Sequence, residues 1–341
     1  MTEVLTARSR DPIGVWLRRE LTLHEGPWAI ESAIRALAAG AIIGILAWSV
    51  GSIALGGIAF FGACRGIVFS GRGSHRQELT AAAAAAAGGL SGLAVAGSTS
   101  HDPATATIVA IVCGFISGAL GLRGPAYTAF ALVLMIALAY GQFSHTTIPL
   151  PQQCLWYAIG SAVVILVTAV PRRTPLQPFP MPFATRRPGT ASRPLTNGIR
   201  LALCIAPATA IAACLPESHS FWLPMTVAAV VRIEYGTIVT RTVNRVVGTA
   251  IGASAAAILI MLLPLPVGLA IVAVIAIAFA ALAQPKLYGL SVIGITAAAL
   301  MSAEVSAPNP IFPLLRLGDT LIGVTIALVL GLLIWPRHLR T

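Results

Sequence analysis

The residues best suited to chemistry are two arginines that each follow a short apolar segment. From Phe221 to Arg232 there are twelve residues, about 18 Å of helix, whereas a bilayer core is about 30 Å thick. The run from Gly51 to Cys64 is similarly short and precedes Arg65. A guanidinium held inside a membrane can bind a carboxylate through two parallel hydrogen bonds. We therefore predict an organic-anion site that includes Arg65 and Arg232; the alternative is that both simply begin loops.

Four more residues are candidate substrate ligands. Arg35 and Arg200 each fall early in an apolar segment, where they either join the anion site or extend to the membrane surface. Trp222 and Tyr235 flank the short segment and offer flat apolar contact to a ring; as interfacial aromatics they would instead be membrane anchors.

Two acidic residues are candidates for proton coupling. Glu234 follows Arg232 closely, and Asp319 lies three residues after Arg316 in the last apolar segment. Ionisable residues inside a membrane are costly and usually functional. For Asp319 the alternative is a simple ion pair with Arg316.

No enzyme or metal signature is convincing. The run Gly89-Leu90-Ser91-Gly92 resembles an intramembrane serine protease motif, but every later histidine falls in a loop or the tail. The sequence contains neither a zinc-protease motif nor a phosphate-binding loop, and the five cysteines show no ligand spacing. We expect no catalytic activity, no cofactor and no metal.

Composition excludes a water-soluble protein. The 341 residues are 57% hydrophobic and only 10% charged, against about 25% charged residues in soluble domains, and the mean hydropathy is +0.87. The net charge of +11 comes from short clusters between apolar runs, so a nucleic-acid partner is not expected. The expected partners are the lipid bilayer and a small organic anion, and a homo-oligomer stays open.

The apolar segments predict an all-α, polytopic membrane protein with about twelve transmembrane helices. Six precede a Pro- and Arg-rich linker and six follow it. The predicted spans are 28–50, 51–69, 79–97, 104–122, 126–143, 153–170, 195–215, 221–233, 243–263, 265–283, 287–303 and 313–335. The predicted organisation is an N-terminal segment 1–27, a first membrane repeat 28–170, a linker 171–194, a second membrane repeat 195–336 and a tail 337–341.

Basic residues predict the orientation. With the N-terminus inside, every loop that carries Lys or Arg is cytoplasmic, whereas the outer loops carry only the acidic residues Asp102, Glu217 and Glu304. This distribution satisfies the positive-inside rule. We expect both termini on the cytoplasmic side of the membrane.

A nearly constant spacing predicts two parallel repeats. Arg35 and Arg200 are 165 residues apart, Arg65 and Arg232 are 167 apart, and Arg76 and Arg245 are 169 apart. Because each half has an even number of crossings, such repeats are related by an axis along the membrane normal.

The second half resembles the fusaric acid resistance protein family, which includes aromatic acid exporters. The resemblance covers about 195–337 and is carried by four motifs: Phe221-Trp222-x-Pro224-x-Thr226, Arg232-x-x-Tyr235-Gly236, Arg241-x-x-x-Arg245-x-x-Gly248-Thr249-x-x-Gly252 and Arg316-x-x-Asp319-Thr320-x-x-Gly323. It implies an exporter of hydrophobic weak acids that uses the proton gradient. Many members carry a large cytoplasmic domain, for which the linker 171–194 leaves no room.

The expected function is therefore a proton-coupled exporter of aromatic or other hydrophobic carboxylates. Two alternatives remain from other classes. A passive organic-anion channel would need a continuous positive pore and no proton carrier, and a non-transporting membrane scaffold would need no site at all.

Overall fold

The computed structural model describes residues 27–67, 73–99, 102–144, 146–173, 194–215, 220–231, 237–263, 265–306, 309 and 311–333. The described residues form twelve α-helices and no strand, which confirms the predicted all-α class. The helices are α1 Ile30–Val50, α2 Ile53–Ile67, α3 His75–Gly97, α4 Pro103–Leu120, α5 Pro125–Phe143, α6 Leu150–Ala169, α7 Pro194–Cys214, α8 Trp222–Val230, α9 Thr237–Leu262, α10 Pro266–Ala283, α11 Tyr288–Ser306 and α12 Phe312–Leu328. A 3₁₀ turn, Gly121–Arg123, follows α4, and a π-helical turn, Val329–Leu333, extends α12.

Ten of these helices are long and apolar enough to cross a membrane. Their outward faces carry large apolar side chains such as Trp48 (78% exposed) and Met261 (84% exposed), as expected of a surface in contact with lipid. The two remaining helices are α2, with fifteen residues, and α8, with nine. At 1.5 Å per residue they are about 22 Å and 13 Å long. α8 is therefore short, as predicted for the eighth segment. α2 is described over Ile53–Ile67, and the residues that follow it lie outside the described part of the chain.

Helix ends follow from local sequence. Ser74 and Gln77 form a capping box that begins α3 at His75, and Asp102 caps α4 ahead of Pro103. Hydrogen bonds from the Thr105 side chain and the Thr105 and Ala104 amides hold the pKa of Asp102 below its usual range. The predicted starts of α3 and α9, at 79 and 243, are too late. Apolarity marks where a helix enters lipid, but α3 begins with the polar residues His75 to Glu78, and α9 with a mixed segment that contains Arg241.

Side-chain contacts define the two ends of the bundle. The linker end is where α1, α3, α5, α7, α9 and α11 begin, and the opposite end is where these helices finish. At the linker end Arg172, just after α6, contacts α1 and α3, and Lys286 lies 5.5 Å from the Trp28 ring centroid. At the opposite end Gln142 of α5 donates to Thr99 and to the Ala106 carbonyl. Consecutive helices therefore alternate in direction.

The packing of the second half repeats that of the first. Within the halves, α3 packs on α5 as α9 packs on α11, and α2 packs on α6 as α8 packs on α12. Between the halves, α4 packs on α7 as α10 packs on α1, and α5 packs on α8 as α11 packs on α2. If each helix of one half is replaced by the corresponding helix of the other half, six places away in the chain, the same set of helix pairs is obtained. This is the pattern of two parallel repeats about an axis along the bundle.

Glycines lie where paired helices approach closely in both halves. A Cβ on Gly88 would overlap the Phe130 carbonyl, and a Cβ on Gly252 would lie 2.6 Å from the Ile293 carbonyl oxygen. Arg76 is exposed near the start of α3, whereas Arg245 is buried eight residues into α9. The two arginines therefore differ in their surroundings, and the repeat spacing of 169 residues between them stays a prediction.

The glycine contacts generate a stability prediction. Gly88→Ala and Gly252→Ala force α3 and α9 away from their partners and should destabilise the bundle by about 1–3 kcal/mol. Gly44→Ala is the matched control, because nothing lies within 4 Å of its added Cβ, and alanine favours helix by about 1 kcal/mol. The measurement is the thermal unfolding midpoint of purified protein in detergent. Equal midpoints for all three variants would contradict the close approach.

Candidate functional site

At the opposite end of the bundle the short helix α8 contacts a buried arginine of α12. Arg316 of α12 is 1% exposed, and its guanidinium carbon lies 4.2 Å from the Trp222 ring centroid. One guanidinium nitrogen lies 3.4 Å from the Trp222 carbonyl oxygen and 3.3 Å from the Thr226 hydroxyl, donating to both. The interaction with the ring face is a cation–π contact, which strengthens when water is excluded. Trp222 is therefore buried against a cation.

Aromatic rings connect this contact to the first repeat. Trp222 packs on Phe221 with ring centroids 4.4 Å apart, and Phe221 lies 5.3 Å from Tyr140 of α5. Tyr140 stacks on Phe61 of α2 at 4.6 Å, and Phe61 lies 6.0 Å from Tyr157 of α6. The chain of rings runs through both short helices and fills the space between the repeats near the opposite end.

Arg316 and Asp319 lie three residues apart but do not form the simple ion pair that was the alternative interpretation of Asp319. Asp319 is 9% exposed and lies one turn along α12, but the ion pairs seen in the described part of the chain, Arg35 with Glu31 and Arg172 with Glu78, do not include it. The guanidinium of Arg316 points to α8 instead. Asp319 is therefore a buried carboxyl group inside the bundle, and its role in proton exchange stays a prediction.

A cleft opens between the repeats towards the linker end. Its cavity volume is about 40 Å³, and it is formed by α4, α5, α7 and α8. Its wall is mainly apolar, with polar groups supplied by Ser117, Thr128 and Asn197. The Asn197 amide donates to the Gly118 carbonyl at 2.6 Å. Val231, the residue before Arg232, also lines the cleft.

Arg35 and Arg200 occupy matching places near the linker end. Arg35 is 8% exposed and donates to the Thr168 carbonyl (3.1 Å) and the Val170 carbonyl (2.7 Å), which end α6. It also pairs with Glu31 at 3.0 Å. An arginine that satisfies the last carbonyls of a helix stabilises that helix end, so these bonds favour a structural role for Arg35. Arg200 is fully buried and lies 3.5 Å from the Asn197 side-chain oxygen at the edge of the cleft.

Several predicted ligands cannot be placed. Arg232, Glu234 and Tyr235 lie outside the described residues. The backbone of Arg65 belongs to α2, but its side chain is also outside the description. The structure therefore brings together Trp222 and Arg316, and places Arg200 near the cleft, while the Arg65 and Arg232 site stays a prediction. Within the described ranges no three His, Cys, Asp or Glu side chains are grouped as a metal site would require.

Sequence reasoning missed a buried ion pair between α3 and the start of the linker. Glu78 is 1% exposed and accepts two hydrogen bonds from Arg172, at 2.9 and 2.6 Å. Arg172 also donates to the Ser32 hydroxyl of α1 at 3.2 Å. The two charged residues are 94 positions apart, so no local pattern connects them. The capping box at Ser74 and Gln77 is the one local signal that places Glu78 inside a helix.

The ion pair generates the second prediction. Glu78→Gln leaves Arg172 buried without its carboxylate and should destabilise the protein by about 3–5 kcal/mol, whereas the double variant Glu78→Leu with Arg172→Met should lose less. Glu31→Gln is the control, because the pair it breaks is more exposed, with Glu31 at 19%. The three variants are compared by thermal unfolding in detergent. A loss for Glu78→Gln no larger than that for Glu31→Gln would contradict the buried pair.

Comparison with known proteins agrees with the resemblance inferred from the second half. A family described as "Fusaric acid resistance protein-like" matches residues 205–330. The chain is also 29% identical over 206 residues to "Uncharacterized protein YhfK" of Escherichia coli (strain K12), covering 57% of this chain and 29% of that protein. It thus spans less than a third of this relative's length, and no solved structure matches the chain. The resemblance to the fusaric acid resistance family is therefore confirmed over residues 205–330, within α7 to α12.

Proposed function

We propose that this protein is a secondary transporter that exports aromatic or other hydrophobic carboxylates across a bacterial inner membrane, coupled to proton entry. The family match to its second half supports a role in membrane transport. The substrate class, the proton coupling and the direction are the finer parts of the proposal.

The observation that carries the proposal is the pair of short helices. α2 and α8 occupy equivalent places in the two repeats, and each packs on a helix of the other repeat. At about 22 and 13 Å neither spans the hydrocarbon core as the other ten helices do. Interrupted helices at equivalent positions of two repeats are typical of transport sites near the bilayer midplane. The chain beyond α8 contains Arg232, the proposed carboxylate ligand.

The cleft next to α8 has the chemistry of a site for an amphipathic acid. Small-molecule sites combine apolar walls with a few polar groups and have volumes of about 300–1,000 Å³. The cavity here is only about 40 Å³, so in this proposal the cleft widens when the substrate binds. Apolar side chains such as Leu132 and Met135 would contact the hydrocarbon part. Arg232 and Arg200, with Asn197, would hold the carboxylate.

The packing of aromatic rings at the opposite end of the bundle supports a carrier rather than an open channel. The rings of Phe61, Tyr140, Phe221 and Trp222 fill the space between the repeats there, whereas a channel needs a continuous pore. In this proposal these four rings, the aromatic layer, move apart and come together again during transport. Asp319, one turn along α12 from Arg316, exchanges the proton.

The transport prediction is tested in proteoliposomes. With a pH gradient imposed, labelled benzoate should accumulate beyond its passive distribution, and the accumulation should disappear when a protonophore collapses the gradient. Liposomes without protein give the passive distribution. Purely downhill flux would identify the anion channel, and no flux would exclude transport of this class.

The role of Arg232 has a matched control. Arg232→Gln should reduce benzoate affinity about tenfold to a hundredfold, since a charge-assisted hydrogen bond contributes about 1.5–3 kcal/mol. Arg232→Lys keeps the charge without the planar fork and should recover part of the binding. Arg123→Gln removes an exposed arginine at the linker end and should have little effect. Equal small losses for Arg232→Gln and Arg123→Gln would move the site elsewhere.

Orientation is tested with accessible positions at the two ends. Arg173 and Thr147 are both exposed, at the linker end and the opposite end respectively. In a background without other reactive cysteines, Arg173→Cys should react with a membrane-impermeant maleimide only after the inner membrane is opened. Thr147→Cys should react in intact spheroplasts. The reverse result would overturn the proposed orientation.

A further inference from the structure

One face of α9 carries polar side chains that are buried without partners. Thr242, Arg245 and Thr249 follow one another at helical spacing and are 7%, 5% and 0% exposed. Among the described residues, the Thr242 and Thr249 hydroxyls and the Arg245 Nε have no hydrogen-bond partner. Arg241 lies one turn before Arg245, and its buried Nε likewise has no partner there. Arg241 also lies 5.3 Å from the Tyr288 ring centroid.

On α9 the unpaired hydroxyl groups lie beside a buried arginine. Helical hydroxyl groups in a membrane normally donate to the carbonyl one turn back, and Thr107, Thr320 and Thr325 do so at 2.8 Å. Thr242 and Thr249 do not, and neither do some buried hydroxyls elsewhere in the bundle, such as Thr209 and Thr296. A cationic nitrogen without a partner in a membrane interior is costly, so a polar or anionic group is expected beside the Nε of Arg245.

The depth of this face fits a site reached from the linker end. Arg245 lies eight residues into α9 and Thr249 twelve, about 12 and 18 Å along the helix axis. The glycines Gly248 and Gly252 bring the α11 backbone close on the adjoining side. The polar face thus runs from the surface to about the middle of the bundle.

The first repeat has no equivalent. Gly88 and Gly92 of α3 approach carbonyl groups of α5 as Gly248 and Gly252 of α9 approach carbonyl groups of α11. On the turns of α3 before these glycines the buried side chains include Ala81, Ala82 and Ala85, and the arginine of α3, Arg76, is exposed. The buried arginine beside unpaired hydroxyl groups on α9 therefore has no counterpart on α3.

From this asymmetry we infer that Arg245, supported by Arg241 and the hydroxyls of Thr242 and Thr249, forms a buried anion-binding site that exists only in the second repeat. Its ligand is a small monovalent anion, either a carboxylate or an inorganic ion. A guanidinium and hydroxyl groups supply the positive charge and the donors that such a ligand requires. The site rests on the proposed function only for the identity of the carboxylate, because anion binding itself can be measured without transport.

The experiment is equilibrium binding of labelled benzoate to the purified full chain in detergent at low ionic strength. Arg245→Gln should weaken binding about tenfold to a hundredfold. Thr249→Val keeps the side-chain shape, removes one donor and should weaken binding about fivefold. Arg123→Gln is the matched control and should bind as the natural sequence does. Thermal unfolding is measured for each variant, and an anion that binds should raise the midpoint of the natural protein but not that of Arg245→Gln.

Competition identifies the ligand. Displacement of benzoate by acetate but not by chloride assigns the site to carboxylates, and displacement by chloride at similar concentration assigns it to small anions in general. Neutral benzamide should not compete. If benzamide displaces labelled benzoate as effectively as unlabelled benzoate does, an anion site is excluded.

Two results would overturn the inference. One is affinity within twofold of the natural protein for a folded Arg245→Gln variant. If that variant does not fold, unchanged affinity for Thr249→Val decides against the site in the same way. Loss of binding in Arg232→Gln but not in Arg245→Gln would support the proposed transport site while excluding this one. Binding that depends on Arg245 in a protein without benzoate transport would support this site and exclude the proposed function.

Discussion

A guanidinium group inside a membrane protein has no bulk water to solvate it, and the charged residues of this bundle are arranged around that constraint. Arg35 is surrounded by helix-end carbonyls and Glu31. Arg172 is neutralised by Glu78, and Arg316 lies against the ring and carbonyl of Trp222. Each of these contacts holds the end of one helix against another helix. The Arg316 contact holds α12 against α8, whose Trp222 packs on Phe221 in the chain of rings.

The helix count and the two short segments could be predicted from the sequence because lipid requires long apolar runs. The apolar runs could not give the helix ends, since α3 starts with a polar turn held by a capping box and α9 starts with a segment that mixes polar and apolar residues. Nor could hydropathy predict that α4 packs on α7. All apolar faces look alike in a hydropathy profile, and the contact depends on small residues such as Gly118, which lets Asn197 approach.

The site was harder to predict than the fold. Trp222 and Arg316 were both selected from the sequence, but their contact joins positions 94 apart and no local pattern links them. The spacing of Arg316 and Asp319 suggested an ion pair, yet cation–π and carbonyl contacts on α8 attract the guanidinium instead. The apolar run places the start of this segment at 243, only two residues before Arg245, whereas α9 already begins at Thr237 and buries that arginine about two turns inside the helix.

The exchange of helix contacts between the halves affects how such a chain can be made. α4 packs on α7 and α1 packs on α10, so the first six helices enter the membrane before two of their partners have been translated. Until α10 is inserted, the small-residue face of α4 and one face of α1 must rest against lipid. The native bundle can therefore close only late in synthesis. A ribosome stalled after α6 would leave a half-bundle in which these faces of α1 and α4 stay exposed to lipid or pair with another such half.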